Sequence, residues 1–194
     1  TRIREVTVRV GLSGQERRLV RELPTGWRQR LALASALLHE PSVVFLDEPT
    51  SGVDPLARRR FWDLIAELAA EGTTVFVTTH YLDEAEYCNR LGLIQGGRLI
   101  ALGAPEALKA RYLTRPLYEL EAIPLRAALE ALRRMPEVFE ADPFGSRIHV
   151  TLQDRALDPE LLVRRLREAG LTVAGIRPIV PTLEDVFLHL IEHP

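Results

Sequence analysis

Residues 43–54 have the sequence VVFLDEPTSGVD, and this stretch decides the fold. Val43–Leu46 form a short run of β-branched, aromatic and aliphatic residues, which predicts a strand buried on both faces. Asp47 and Glu48 follow at its carboxyl end, where open α/β sheets bind ligands. One carboxylate there can support the water shell of a Mg²⁺ ion while the other orients an attacking water. An acidic turn after a strand would contain the same two residues, so the flanking segments must decide between these interpretations.

The flanking segments predict a helix before this strand, and a helix and a second strand after it. Residues 23–42, LPTGWRQRLALASALLHEPS, place apolar residues at helical spacing after a Pro-Thr-Gly turn. Pro55 and Gly72 suit the first turn and the end of a helix over about 55–71. Residues 73–80, TTVFVTTH, predict an apolar strand that ends in a histidine. The order predicts an α/β unit in which the helix is the crossover.

This series of motifs resembles the ATPase cassette of ABC transporters. The LPTG turn and the ending PTLEDVFLHL are similar to those of drug-exporter ATPases. The motifs are the glycine turn with its RQRLALA helix, the strand with Asp-Glu, the SGVD turn and the strand with histidine. The resemblance implies an α/β fold, with a partial P-loop NTPase core in residues 1–113. It also implies that ATP and Mg²⁺ are the cofactors.

The resemblance assigns roles to the residues at the strand ends. Asp47 matches the aspartate that supports Mg²⁺ through water, and Glu48 matches the catalytic carboxylate that polarises the attacking water. His80 matches the histidine that contacts the γ-phosphate, although a lone histidine after a strand is more often a packed or capping residue. The family's D-loop, which crosses the dimer interface, corresponds to a turn that contains the nucleotide-site candidates Ser51, Gly52 and Asp54.

The segment that matches the family's signature differs from the usual LSGGQ. In the family this turn grips the γ-phosphate held by the opposite subunit, at a helix N-terminus that favours anions. The candidate nucleotide-binding residues here are Thr25, Gly26, Trp27 and Gln29. Pro24 has neither a hydroxyl nor a backbone N–H, so one phosphate donor is absent unless Thr25 supplies its own. A nearer match, LSGQ at residues 12–15, is not followed by the RQRLALA helix and is expected to be a loop.

The phosphate-binding motif GxxxxGK[ST] occurs nowhere in the sequence, whose single lysine is Lys109. We therefore expect a C-terminal fragment of a longer ATPase that is inactive alone, because it cannot cradle ATP phosphates unaided. In the fold that the sequence resembles, the strand before the missing loop lies between the strands matching residues 74–78 and 91–95. We expect the chain to close this gap by pairing those two strands, or to pair sheet edges in a dimer.

Composition excludes several classes of protein. The chain has 194 residues, 46% hydrophobic residues and a formal net charge of −2, which argues against disorder and offers no footprint for nucleic acid. Cys88 is the single cysteine, so no intrachain disulfide can form and a reducing compartment fits. No apolar stretch of about 18 residues occurs, which predicts that no segment spans a membrane. The resemblance to ABC transporters implies that the partners are transmembrane permease subunits and a second, head-to-tail cassette, at the cytoplasmic face of the cell membrane.

Residues 114–194 change pattern and predict a small accessory α+β domain of ferredoxin-like type. Strands and helices follow in the order β-α-β-β-α-β, and a closing helix begins after Thr182. His149, His189 and His193 are expected at the surface without metal-ligand spacing. Before this domain, residues 82–89 are expected to form a short helix on which Glu84 and Glu86 form a solvated face.

The function that these observations favour is that of an ATP-binding and ATP-hydrolysing subunit of an ABC exporter. A non-transport ABC ATPase is one alternative, although residues 114–194 show no heptads. A non-enzymatic interaction module, with the accessory domain as its working part, is the other.

Overall fold

The computed structural model describes residues 2–193, which divide between residues 87 and 88 into two compact units. The hairpin after residue 87 and the helix that follows it therefore group with the C-terminal sheet. The functional boundary expected at 113/114 stays a prediction.

The first unit consists of helices around a short parallel strand pair. Its elements are α1 (Arg2–Arg9), a 3-10 helix (Val20–Glu22), α2 (Thr25–Leu37), β1 (Val43–Asp47), α3 (Pro55–Ala70), β2 (Thr74–Thr78) and α4 (Leu82–Ala85). Strands β1 and β2 pair in parallel with Asp47 opposite Thr78, as expected for a strand, crossover helix and strand. The carboxyl ends of both strands therefore lie side by side.

Burial of β1 is one-sided, so the expectation that both faces are covered is wrong. Val44 is 4% exposed, whereas Phe45 is 75% exposed and contacts the exposed Phe76 with ring centroids 5.6 Å apart. A single crossover helix, α3, can cover only one face of the pair. The other face needs a second layer, which residues 2–193 do not supply.

The second unit contains a hairpin and a four-stranded sheet. Its elements are β3 (Leu91–Gln95), β4 (Arg98–Gly103), α5 (Pro105–Tyr112), β5 (Leu117–Ile123), α6 (Leu125–Leu132), β6 (Val138–Phe144), β7 (Arg147–Leu152), α7 (Glu160–Glu168), β8 (Thr172–Pro178) and α8 (Leu183–Glu192). The sheet order is β6-β7-β5-β8 with antiparallel pairing throughout. This order with α6 and α7 as crossovers confirms the ferredoxin-like topology.

The gap in the sheet is not closed as the sequence suggested. Strand β3 pairs with β4, and β2 has β1 as its partner within residues 2–193. Gly96 and Gly97, with φ of 55° and 75°, form the tight turn that holds β3 against β4. The alternative, edge pairing between two copies, stays a prediction.

Candidate functional site

The predicted catalytic residues lie where β1 and β2 end. The Thr78 hydroxyl donates a short hydrogen bond to Asp47 Oδ1. The backbone N–H of Glu48 is 3.1 Å from both the carbonyl oxygen and the hydroxyl of Thr78. Thr78 therefore joins Asp47, the last residue of β1, and Glu48, which follows it, to the end of β2.

Glu48 has a backbone conformation that is unusual for its residue type. Its φ is +42°, in the left-handed region that non-glycine residues seldom adopt. Its carbonyl accepts a hydrogen bond from the N–H of Ser51 at 3.1 Å, which fixes the turn out of β1. Such outliers cluster at functional sites, because the surrounding structure must hold them in place.

His80 meets the Glu48 side chain. His80 Nδ1 is 3.2 Å from Glu48 Oε1, and the side chains are 54% and 49% exposed. A carboxylate and an imidazole so placed can orient a water and hold a proton while remaining open to a ligand. The two predicted catalytic residues are thus brought together.

The turn after Glu48 contains the predicted D-loop residues. Gly52 has φ of 71°, and the Val53 N–H donates to the Thr50 carbonyl at 3.1 Å. The Asp54 carboxylate accepts a hydrogen bond from the Ala57 N–H at 2.9 Å and caps α3. Asp54 therefore has a structural role here, whereas Ser51 is only partly buried and Gly52 is exposed.

The predicted signature residues lie at the start of α2. Thr25 begins the helix, and its hydroxyl accepts a hydrogen bond from Arg28 at 3.2 Å. A Cβ on Gly26 would lie 3.4 Å from the Val53 side chain, so α2 starts against the D-loop turn. Trp27 and Gln29 are partly buried, and no side-chain hydrogen bond of Gln29 is seen within residues 2–193.

Glu84 anchors this region, and sequence reasoning missed it. The expectation of a solvated face is wrong for Glu84, whose residue is 0% exposed. Its carboxylate accepts hydrogen bonds from the hydroxyls of Thr50 at 2.6 Å and Thr79 at 2.7 Å. Arg58 Nε forms an ion pair with it at 3.3 Å.

The Glu84 network spans the segments that leave both strands. Thr50 follows Glu48 by two residues, and Thr79 directly precedes His80. Glu84 therefore holds both the segment that follows Glu48 and the segment that precedes His80. The helix α4 ends at Ala85 and not at Asn89 as expected. A helix this short shows no periodic apolar face, so the sequence pattern gave little indication that Glu84 is buried.

In the second unit, His149 is buried and not at the surface as expected. It is 5% exposed, and its Nδ1 lies 2.6 Å from Asp185 Oδ1. Burial alone would raise the pKa of Asp185, but the hydrogen bonds from His149 and Thr182 outweigh it and hold this pKa below its ordinary value. The pair joins β7 to the start of α8, where Thr182 caps the helix as predicted.

Two family models match the chain. Residues 8–82 match the family described as "AAA domain, putative AbiEii toxin, Type IV TA system". Residues 103–191 match "ATP-binding protein DrrA1-3-like, C-terminal domain".

Curated relatives are ATP-binding proteins of export systems. The chain is 62% identical over 90 residues to a protein of Escherichia coli named "Probable multidrug ABC transporter ATP-binding protein YbhF", which covers 46% of the chain and 16% of the relative. It is 39% identical to the daunorubicin resistance ATP-binding protein DrrA3 of Streptomyces coeruleorubidus, over 96% of the chain and 59% of the relative. It is 40% identical to the Nod factor export ATP-binding protein I of Burkholderia orbicola, over 88% of the chain and 54% of the relative. The chain thus spans at most 59% of the length of these three relatives.

Solved structures show the same fold. The cbiO1 protein from Clostridium perfringens, part of the ABC transporter complex cbiONQ, superposes with a TM-score of 0.52 at 28% identity, covering 70% of this chain and 49% of that one. MJ1267, an ATP-binding cassette of an ABC transporter, superposes with a TM-score of 0.53 at 27% identity, covering 58% of this chain and 45% of that one. The sequence comparisons and the structure comparisons therefore both lead to ATP-binding proteins of ABC transporters.

Proposed function

We infer that this chain takes part in the ATP hydrolysis that drives export. The chain belongs to the ATP-binding proteins of ABC transporters, and to their drug-exporter type. The observation that carries this proposal is the cluster at the strand ends, where Thr78 links Asp47 to Glu48 and His80 lies 3.2 Å from Glu48. The family assigns a role to each of these positions except Thr78. The names of the relatives specify resistance or export, which favours an exporter over a non-transport ATPase.

Glu48 is proposed as the group that orients the attacking water. Its half-exposed carboxylate can accept a proton from a water, and the hydrogen bonds to its backbone keep it from moving away. His80 is proposed to hold the γ-phosphate and to restrict the rotation of the Glu48 carboxylate. Phosphoryl transfer depends mainly on such positioning and on stabilisation of charge.

Asp47 is the residue proposed to support a Mg²⁺ ion. The donor set fits this ion, because Asp47 is an exposed carboxylate at the ligand-binding end of a strand, with Glu48 beside it. When bound, the ion would neutralise charge on the phosphate oxygens. The Thr78 hydroxyl orients Asp47 by occupying one of its oxygens.

The start of α2 is proposed to contact the nucleotide held by a second cassette. The first amides of a helix have no acceptor within the helix, so those of Thr25 and Gly26 can donate to phosphate oxygens. The Thr25 hydroxyl accepts from Arg28 and keeps its own proton available, which would replace the donor that Pro24 lacks. Trp27 and Gln29 would line the same surface. Across the cassette interface, Ser51 and Gly52 are proposed to contact the partner while Asp54 holds their turn through α3.

The proposed partners are a second cassette, joined head to tail, and transmembrane permease subunits. None of the helices in the part of the chain that the structure describes has the length and apolar character of a membrane span. In the proposed assembly, the permease subunits would form the passage for cargo, and this protein would act at the cytoplasmic face of the membrane.

The test is the ATPase activity of the complete product of the encoding gene, purified with its permease in lipid vesicles. We expect Mg²⁺-dependent release of phosphate from ATP that Asp47→Asn abolishes. Glu67→Gln, which changes an exposed carboxylate on α3, is the matched control and should retain full turnover. Turnover that survives Asp47→Asn would contradict the proposed site, and absence of any turnover would contradict the proposed function.

A further inference from the structure

Two imidazoles and a carboxylate converge between the end of α8 and the edge strand β6. His189 lies in the last turn of α8, and His193 is the residue that directly follows the helix. Their ring centroids lie 4.8 Å apart, and the Phe139 ring stacks on His193 at 5.4 Å. The absence of metal-ligand spacing expected from the sequence is therefore wrong for this pair.

Glu140 supplies the carboxylate, and one of its oxygens is unsatisfied. The Glu140 side chain is 10% exposed, and its Oε2 lies 3.2 Å from His189 Nδ1. Its Oε1 accepts no hydrogen bond from an N–H or hydroxyl group among the described residues, and His193 Nε2 is 3.8 Å away from it. The nearby Glu192 carboxyl can donate to Glu140 only when it is protonated. A buried carboxylate oxygen without a partner is costly, which points to a ligand.

The surroundings of Glu140 carry excess negative charge. Carboxylate oxygens of Glu140, Asp142 and Glu192 lie within 4.8 Å of one another. Arg133 pairs with Asp142 at 2.8 Å and leaves the charge on the other two uncompensated by that contact. A divalent cation bound between these carboxylates would relieve the repulsion between them.

The distances suit a small tetrahedral ion. Ligand atoms at about 2.0–2.1 Å from a tetrahedral zinc ion lie about 3.4 Å from each other. The distance from Glu140 Oε2 to His189 Nδ1 is 3.2 Å and that from Glu140 Oε1 to His193 Nε2 is 3.8 Å, so each carboxylate oxygen lies near this distance from one imidazole nitrogen. Imidazole ligands select zinc and neighbouring transition metals over Mg²⁺ and Ca²⁺, which prefer oxygen alone.

We propose that Glu140, His189 and His193 bind a divalent transition-metal ion that ties the end of α8 to β6. The Glu192 carboxylate or a water molecule completes the four ligands. A plain Glu140–His189 ion pair would leave the second imidazole and the second oxygen without a role. The proposed site is separate from the strand ends of the first unit and does not depend on ATP hydrolysis.

The experiment is calorimetric titration of the 194-residue chain, prepared without a polyhistidine tag, with zinc chloride. We expect one zinc ion per chain, and at least about tenfold weaker binding in His193→Ala and Glu140→Gln. Glu140→Gln keeps the side-chain volume and an acceptor for His189, and His193 is 45% exposed, so both variants should fold. His39→Ala, which removes an exposed imidazole from the first unit, is the matched control and should bind as wild type does.

A second readout is the visible absorption of cobalt(II) in place of zinc, which reports tetrahedral coordination by imidazole and carboxylate. Absence of stoichiometric binding by the wild-type chain would overturn the proposal. Binding that Glu140→Gln and His193→Ala leave unchanged would also overturn it, since the metal would then lie elsewhere. A variant that does not fold, as judged by circular dichroism, is replaced in the comparison by the other one.

Discussion

At the scale of single residues, Glu84 matters as much to the candidate site as the side chains that face the ligand. Its buried carboxylate accepts from Thr50 and Thr79, which flank Glu48 and His80 in the chain, and is paired with Arg58. In a buried network each group depends on its partners, because none can turn to water instead. The geometry of the catalytic pair therefore depends on a residue that touches neither member.

Removal of this carboxylate should destabilise the first unit. We expect Glu84→Ala to lower the free energy of unfolding by on the order of 3 kcal/mol, because it leaves two hydroxyls and a guanidinium without their partner. ATP turnover should fall as well, since the segment before His80 is released. The measurement is urea unfolding followed by circular dichroism. Asp83→Ala removes a 73% exposed carboxylate on the same helix, whose ion pair with Arg58 is long at 3.9 Å. It should change stability by less than about 0.5 kcal/mol, and equal effects of both changes would refute the network's role.

The sequence predicted that Asp47, Glu48 and His80 would lie together but did not predict Glu84, for a physical reason. The first three follow strands whose apolar runs are visible locally, and the carboxyl ends of parallel strands meet at one edge. Glu84 is defined by contacts 34 residues away, at Thr50, and nothing local distinguishes it from the exposed Asp83 beside it. The buried pair His149 and Asp185 escaped for the same reason, because its members are 36 residues apart.

The His149–Asp185 pair makes stability depend on pH. The pKa of Asp185 is lower in the folded protein than its ordinary value, so protonation favours the unfolded chain. The stabilisation is present above the ordinary aspartate pKa of about 3.9 and is lost as the pH falls through the folded value. We therefore expect Asp185→Asn to lower the melting temperature at neutral pH and to have a shrinking effect below about pH 4. A difference between the proteins that stays constant down to pH 2, or one shared by the exposed control Asp158→Asn, would contradict this account.

At the scale of elements, the pair β1 and β2 presents an uncovered apolar face. Phe45 and Phe76 are 75% and 58% exposed and touch each other, and β2 has a strand partner on one side within residues 2–193. An apolar face beside an open edge promotes association. The sequence predicted each strand correctly, but not which face is covered, because burial depends on layers that a strand's own residues do not encode.

We expect the 194-residue chain to self-associate through this face and edge. Phe45→Ser with Phe76→Ser should reduce the concentration dependence of its sedimentation, since it removes the apolar contact. Leu56→Ser, at a single exposed leucine on α3, is the control and should leave association unchanged. Slow hydrogen exchange at Val75–Val77 that appears only as the wild-type chain associates would support edge pairing. A wild-type chain that remains monomeric at high concentration would contradict it.

At the scale of the whole molecule, the chain contains the residues proposed to orient the attacking water but no GxxxxGK[ST] motif. The amides and the lysine of that motif hold the β- and γ-phosphates in P-loop proteins. The chain also spans at most 59% of the relatives described above. The comparisons therefore support the type of protein, while activity is a property to be measured on the complete gene product.

The 194-residue chain alone should neither bind ATP tightly nor hydrolyse it. No residues in the sequence match the phosphate cradle, and anion binding at the start of α2 alone is weak. The measurement is calorimetric titration with Mg-ATP beside a phosphate-release assay. Micromolar affinity for ATP would show that the chain forms a complete nucleotide site in another way.

The most direct test of the central claim is ATP turnover by the complete gene product in which Glu48 is replaced by glutamine. Glutamine keeps the volume of the side chain but cannot take a proton from the attacking water. We predict that Glu48→Gln lowers turnover at least about a hundredfold while Mg-ATP binding and association of the cassettes persist, with Glu67→Gln unchanged. Turnover near that of the wild type would contradict the assignment of Glu48 and of the strand-end site.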